Sequence, residues 1–306
     1  MAHTPLSGLI AAPFTPMKPG GQLELSRIPD YYSLLRRNGV SGAFINGSTG
    51  EGPSLSLEEK KKTAEAWMQA RGGHTDFRII TLVGGPCLED AIELARHARA
   101  KGVDAVAFTA PYYYPLNSVE QLAGCLLELG AQVPDLDVYY YHIPVLNHCS
   151  VPMIELLKAL DGKMPNFRGV KYTHEDFMDF LSCMRFADGR YEMLWGRDEN
   201  MLSALVLGCR AAVGSTFNYA APLYTELIAA FEAGDLARAQ ALQQKAIDII
   251  RLLGAYGGIA TGKAFMRAIG IPCGGFRLPV RNMDEPSYSR FLKDLESLHF
   301  FEWASK

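Results

Sequence analysis

Phe167-Arg168-Gly169-Val170-Lys171-Tyr172-Thr173 is a short strand pattern with a lysine in its second half. Alternation places Phe167, Gly169, Lys171 and Thr173 on one face and Arg168, Val170 and Tyr172 on the other. If the strand belongs to a barrel, one face lines the lumen, and Lys171 falls near the C-terminal end, where barrel enzymes keep their chemistry. An amine walled in by apolar groups is poorly hydrated, so its neutral form is favoured. A neutral amine attacks a ketone to form an imine, and the protonated imine stabilises a carbanion on the adjacent carbon. The plainer reading is a lysine on the outer face, paired to a carboxylate or running its stem past a helix.

Seven comparable runs flank this one. They are LIAAPFTP (9–16), AFINGS (43–48), RIITLVGG (78–85), AVAFTAP (105–111), VYYYHIP (138–144), EMLWGRD (192–198) and AAVGSTFN (211–218). Helical patterns alternate with them, as in repeated βα units on a parallel sheet. Ser56 with Glu59, and Ser118 with Gln121, have capping-box spacing at two of the helix starts. Eight such units specify a closed (β/α)8 TIM barrel better than an open sheet, whose edge strands would need blunting by charge or proline. No GxGxxG follows the first strand, which removes the best support for a dinucleotide fold. After Gly234 only helical patterns remain, such as LARAQALQQKAIDIIRLLGAY and SYSRFLKDLESL. The expected organisation is an α/β barrel over residues 1–234 with a C-terminal helical extension over 235–306.

Composition agrees with that reading. The 306 residues are 48% hydrophobic, and 30 basic against 33 acidic residues leave a net charge of −3 with no basic stripe, which argues against a nucleic-acid partner. No apolar run approaches the ~20 residues that span a bilayer. The opening MAHTPLSGLIAAPFTPM lacks a basic n-region and meets prolines early, so it reads as strand and loop and not as a secretory signal. Cys87, Cys125, Cys149, Cys183, Cys209 and Cys273 show no CxxC spacing and read as reduced, structural thiols of a cytoplasmic protein, with no metal site.

Other chemistry-bearing residues gather at strand ends. Tyr139 and Tyr141 share a face of the fifth strand, and a tyrosine beside an imine-forming lysine relays protons because its hydroxyl both donates and accepts. The turn Asn46-Gly47-Ser48-Thr49-Gly50-Glu51-Gly52 offers the hydroxyls of Ser48 and Thr49 and nearby backbone N–H groups to a carboxylate, or is an ordinary strand-to-helix turn. Gly214-Ser215-Thr216 is compatible with an anion cradle or a simple turn. Gly196-Arg197-Asp198-Glu199 is compatible with a hydroxyl-binding loop or a helix cap.

GSTGE at 47–51, Tyr141-His142-Ile143-Pro144 and Gly169-Val170-Lys171-Tyr172-Thr173 occur in order across the chain. With them the whole chain resembles the N-acetylneuraminate lyase and dihydrodipicolinate synthase family of pyruvate-dependent aldolases. The resemblance implies that Lys171 forms the imine, that Tyr141 shuttles protons and that Ser48 and Thr49 bind the pyruvyl carboxylate. It implies that Tyr113 enters a neighbouring subunit's site, within a homotetramer built as a dimer of dimers. No organic cofactor or metal is implied.

The synthase branch has an arginine shortly after the tyrosine-to-proline segment, whereas here Val145, Leu146, Asn147 and His148 follow Pro144. The resemblance is therefore to the sialic acid lyase branch, in which Thr173, Gly196, Asp198, Glu199 and Ser215 would contact the sugar tail. The implied substrates are sialic acid and pyruvate, in sialic acid catabolism. An aldolase or dehydratase for another 2-keto-3-deoxy sugar acid shares the same core residues, and a non-catalytic keto-acid sensor would be expected to have lost Lys171 or Tyr141. His142, His174, Glu175 and Arg197 depart from the family pattern.

Overall fold

All eight expected strands form, each parallel to its sequence neighbours, and the last closes on the first. The computed structural model describes residues 5–306, so Met1–Thr4 of the opening stretch lie outside the described residues. The strands are β1 (Gly8–Ala11), β2 (Gly42–Ile45), β3 (Arg78–Leu82), β4 (Ala105–Phe108), β5 (Asp137–His142), β6 (Phe167–Tyr172), β7 (Glu192–Trp195) and β8 (Ala211–Gly214). They run β1 through β8 around a closed barrel, with β8 paired to β1 through Leu9–Ala212 and Ile10–Val213.

Each strand stops earlier than its apolar run. Ala12, Phe14 and Thr15 are buried but lie beyond the ladder, and Phe217 already opens the helix Phe217–Glu232. These rim residues are as deeply buried as those of the strands, so hydrophobicity does not mark where inter-strand hydrogen bonding ends.

Two cores result. Ile10, Phe44, Ile80, Ala107, Tyr139, Tyr141, Leu194 and Val213 fill the lumen. A larger core lies between strands and helices and continues into the C-terminal segment, where it takes in Phe265, Phe291 and Phe300. Simple alternation fails at one end of β6. Val138 pairs with Phe167 but Tyr139 pairs with Gly169, so Arg168 is the extra residue of a bulge. Phe167 consequently packs in the outer core, 5.9 Å centroid to centroid from Tyr191, and does not share the lumen with Lys171. The bulge needs Gly169, because a Cβ there would lie 1.9 Å from the Glu192 carbonyl oxygen.

The Ser56–Glu59 capping box forms in full. The Ser56 oxygen accepts from the Glu59 N–H at 3.3 Å, and the Glu59 carboxylate accepts from the Ser56 N–H at 2.9 Å. At Ser118 only half of it forms, since the Gln121 side chain accepts from the Asn117 N–H instead. From residue 235 onward the chain is helical, with Leu236–Ala255, Thr261–Ala268 and Glu285–Ser297 and no strand. All six cysteines are free thiols. Among the described residues no helix is long and apolar enough to cross a membrane.

Candidate active site

Tyr141 and Lys171 are direct register partners on β5 and β6, each the penultimate residue of its strand. Both side chains therefore enter the lumen at its C-terminal mouth. The Lys171 Nζ lies 3.9 Å from the centroid of the Phe44 ring and 4.0 Å from that of Tyr141. Burial lowers its pKa to about 7, against the opposing pull of the Asp198 carboxylate. A substantial share of the amine is thus neutral near pH 7. Burial pushes the Tyr141 phenol up to about 12, opposed by the hydroxyls of Ser48 and Thr173 beside it. The Thr173 Oγ1 is buried and makes no well-aligned hydrogen bond, although it stands next to that phenol.

A cavity of about 120 Å³ opens above the amine. Thr49, Tyr141, Lys171, Gly196, Asp198, Glu199 and Ser215 line it, so residues from the ends of five strands converge as the sequence implied. Ser48 is not among the lining residues, but its hydroxyl lies beside the phenol of Tyr141, which is. Asp198 is buried, and burial raises its pKa to about 6. Its Oδ2 accepts from the Thr216 N–H at 2.9 Å and from the Thr216 hydroxyl at 2.6 Å, and that hydroxyl oxygen is 2.8 Å from the Tyr224 oxygen. Its Oδ1 stands over Gly214, where a Cβ would come within 2.2 Å of it. Glycine at 214 is therefore a condition for placing this carboxylate at the mouth.

Sequence reasoning overlooked several lining residues. Thr216 lies inside the quoted Gly214-Ser215-Thr216 motif, but its partnership with Asp198 crosses between strands. Ile250 and Leu253, on the helix Leu236–Ala255, also line the cavity. Their i, i+3 spacing marks one helix face, yet nothing local says that this face covers the barrel mouth. Gln243 of the same helix ties it down, donating to the Asp198 carbonyl at 3.2 Å and accepting from the Leu202 N–H at 2.9 Å.

The four departures from the family pattern also find their places. Arg197 bridges two carboxylates, Glu199 at 2.7 Å and Glu175 at 3.2 Å, and Asn200 donates to Glu175 at 2.9 Å. Its guanidinium is thus held between carboxylates from the segments after β6 and β7. His142 points away from the lumen, its ring 5.0 Å from Tyr172 and 5.6 Å from His174, and burial lowers its pKa to about 3, so it stays neutral. Tyr113 does not reach this chain's cavity. It is 75% exposed, edge-on to Tyr114. A larger cavity, about 730 Å³, opens at the opposite end of the barrel near Arg185, Glu192 and Arg210. It contains none of the strand-end chemistry, so size does not identify the site here.

Barrel, buried amine and rim cavity together define a class I aldolase. The dihydrodipicolinate synthetase family model matches residues 5–298, and the chain belongs to that family. It is 37% identical over 304 residues to the N-acetylneuraminate lyase of Rattus norvegicus, covering 97% of this chain and 94% of the relative. It is 38% identical over 297 residues to the lyase of Gallus gallus, covering 96% of each. The structure of Proteus mirabilis N-acetylneuraminate lyase superposes with a TM-score of 0.93 at 37% identity, covering 96% of this chain and 99% of that one.

Proposed function

We propose that this chain cleaves N-acetylneuraminate to pyruvate and N-acetylmannosamine through an imine on Lys171. The observation that carries the reading is the Lys171 amine, buried in the lumen over the Tyr141 ring with its pKa near 7. The neutral amine attacks the C2 ketone of the open-chain sugar, water leaves, and an iminium ion forms. A phenol with a pKa near 12 stays protonated at neutral pH, so Tyr141 acts as a relay. It passes its proton to the substrate carboxylate as it receives the proton of the C4 hydroxyl. The C3–C4 bond breaks, and its electron pair forms an enamine with the iminium carbon. Protonation at C3 and hydrolysis release pyruvate and free the lysine.

In this reading Ser48 and Thr49 hold the pyruvyl carboxylate. Thr173, Gly196, Asp198, Glu199 and Ser215 contact the sugar hydroxyls, where unmatched polar groups would penalise a wrong substrate. The names of the relatives support the choice of sugar. We read residues 1–234 as the catalytic barrel and 235–306 as a helical extension that covers part of its mouth. We assign the protein to the cytoplasm as a homotetramer, with Tyr113 reaching a neighbour's site. Its exposure in the single chain agrees with that role.

The test is pyruvate release from N-acetylneuraminate, followed through a coupled dehydrogenase with Lys171→Ala as control. Lys171-dependent release is the expected result. If pyruvate still forms an imine but sialic acid is not cleaved, the substrate becomes another 2-keto-3-deoxy sugar acid.

A further inference from the structure

Glu51, the last residue of the GSTGE turn, and Lys263, on the helix Thr261–Ala268, form an ion pair of 2.6 Å with side chains 2% and 3% exposed. The other Glu51 oxygen accepts from the Arg277 N–H at 2.9 Å, and the Lys263 ammonium also donates to the Gly275 carbonyl at 2.8 Å. The Arg277 guanidinium continues the grip, donating to the Ser54 carbonyl and to Glu59, both at 2.8 Å. One stretch of the C-terminal extension therefore holds both the turn and the start of the helix after it. A buried ion pair is weak evidence for a role in stability, because an apolar pair of similar volume often serves as well.

What the turn requires is an unusual backbone. Asn46 and Glu51 both have left-handed φ, 59° and 61°, although neither is glycine. They bracket Ser48 and Thr49. Such conformations persist only where the surroundings impose them. Inside the turn the Glu51 N–H donates to the Ser48 carbonyl at 3.1 Å, and the Gly50 carbonyl accepts from the Thr15 hydroxyl at 2.6 Å. Neither bond reaches the Glu51 side chain, so the carboxylate depends on Lys263 and Arg277.

We propose that Lys263 is a positioning residue for the keto-acid carboxylate, acting through Glu51 to hold Ser48 and Thr49 in their binding geometry. This rests on the aldolase reading above. It makes the C-terminal extension part of the binding site. Lys263 itself does not line the cavity. Losing it releases Glu51 from its left-handed conformation and lets the two hydroxyls move out of place.

Pyruvate has the ketone and the carboxylate but no sugar tail, so it probes this contact alone. Imine formation on Lys171 would be trapped with borohydride across a range of pyruvate concentrations and read by intact mass, giving a half-saturating concentration and a plateau. Lys263→Met, the double variant Glu51→Met/Lys263→Met and Lys263→Arg would be compared with the unmodified protein, with Tm measured for each. We expect the half-saturating concentration to rise about tenfold or more in Lys263→Met with the plateau retained. The double variant should recover Tm but keep the raised half-saturation, and Lys263→Arg should restore part of the binding. A double variant with normal Tm and normal half-saturation would overturn the proposal, as the pair would then serve the fold alone. Failure of all three variants to fold would overturn it for the same reason. If the unmodified protein forms no imine with pyruvate, it is the aldolase reading that fails.

Discussion

The Lys171 amine rests on the face of the Tyr141 ring, 4.0 Å from its centroid, with the Phe44 ring at 3.9 Å. Ring faces attract cations by about 2 kcal/mol when water is excluded. Burial opposes them, and lowering the pKa from 10.5 to about 7 corresponds to roughly 5 kcal/mol at 1.36 kcal/mol per unit. Burial wins, and neutral amine is available at neutral pH.

Replacing that lysine should separate stability from activity. Unfolded Lys171 holds its proton up to about pH 10.4, whereas folded Lys171 releases it near 7. The unfolded state binds more protons between these values, so stability rises with pH across that window. The burial penalty is fully present below about 7. Lys171→Met should therefore stabilise the fold by a few kcal/mol near pH 6 and by little near pH 10, as urea unfolding at the two pH values would report. It should also abolish turnover, by about a thousandfold or more.

The rate of sialic acid cleavage should fall about tenfold per pH unit below the Lys171 titration, since only the neutral amine attacks. The limb will carry apparent values of the Lys171–Asp198 pair, because the two charges are coupled. Asp198 raises the lysine's pKa, so Asp198→Asn should move the limb to lower pH. A pH profile of kcat/KM for both proteins checks the direction, and a shift to higher pH would contradict it.

Tyr141→Phe keeps the ring against Phe44, whose centroid is 5.5 Å away, and removes only the hydroxyl. The fold should persist with Tm nearly unchanged, while kcat drops by about 10²–10⁴-fold, the usual range for a lost proton relay. Undiminished kcat would transfer the relay to the substrate carboxylate alone.

Arg197 fixes Glu199 at the cavity wall through the 2.7 Å contact. Arg197→Met should raise KM for N-acetylneuraminate about tenfold, the equivalent of one charge-assisted hydrogen bond at a partly exposed site. Pyruvate imine formation should be unaffected, because in the proposed reading this loop contacts the sugar tail, which pyruvate lacks. Equal losses for both ligands would show a general disturbance of the mouth.

Gly214→Ala places a methyl group within 2.2 Å of an Asp198 oxygen. The carboxylate must move or the strand must shift, at a cost of about 1–3 kcal/mol in chemical unfolding. Activity should fall along with stability.

Much of this architecture has a local signature. Apolar runs bounded by turn residues mark a strand wherever they occur, and Ser56 with Glu59 marks a helix start, because both depend on neighbours within a few residues. Lys171, Tyr141, Thr49, Asp198, Glu199 and Ser215 were legible for a related reason. Each sits at the end of a strand, and closing a parallel barrel brings all such ends to one rim. Alternation failed only at Phe167, where a bulge that serves the neighbouring strand overrides the two-residue period.

The sequence by itself pointed to the eight-stranded barrel and its rim, because repeated βα units favour closure over an open sheet, and the family resemblance placed the Lys171 amine on that rim. Tertiary structure alone decided what surrounds that amine. It set Ile250 and Leu253 over the mouth, bound Arg197 to Glu175 and Glu199, and joined Lys263 to Glu51 across 212 residues of chain. Most of these contacts join residues far apart in the chain and have no spacing to read. They arise where the C-terminal helices and rim loops settle on a closed barrel, and burial there fixes both the charges and the shape of the site.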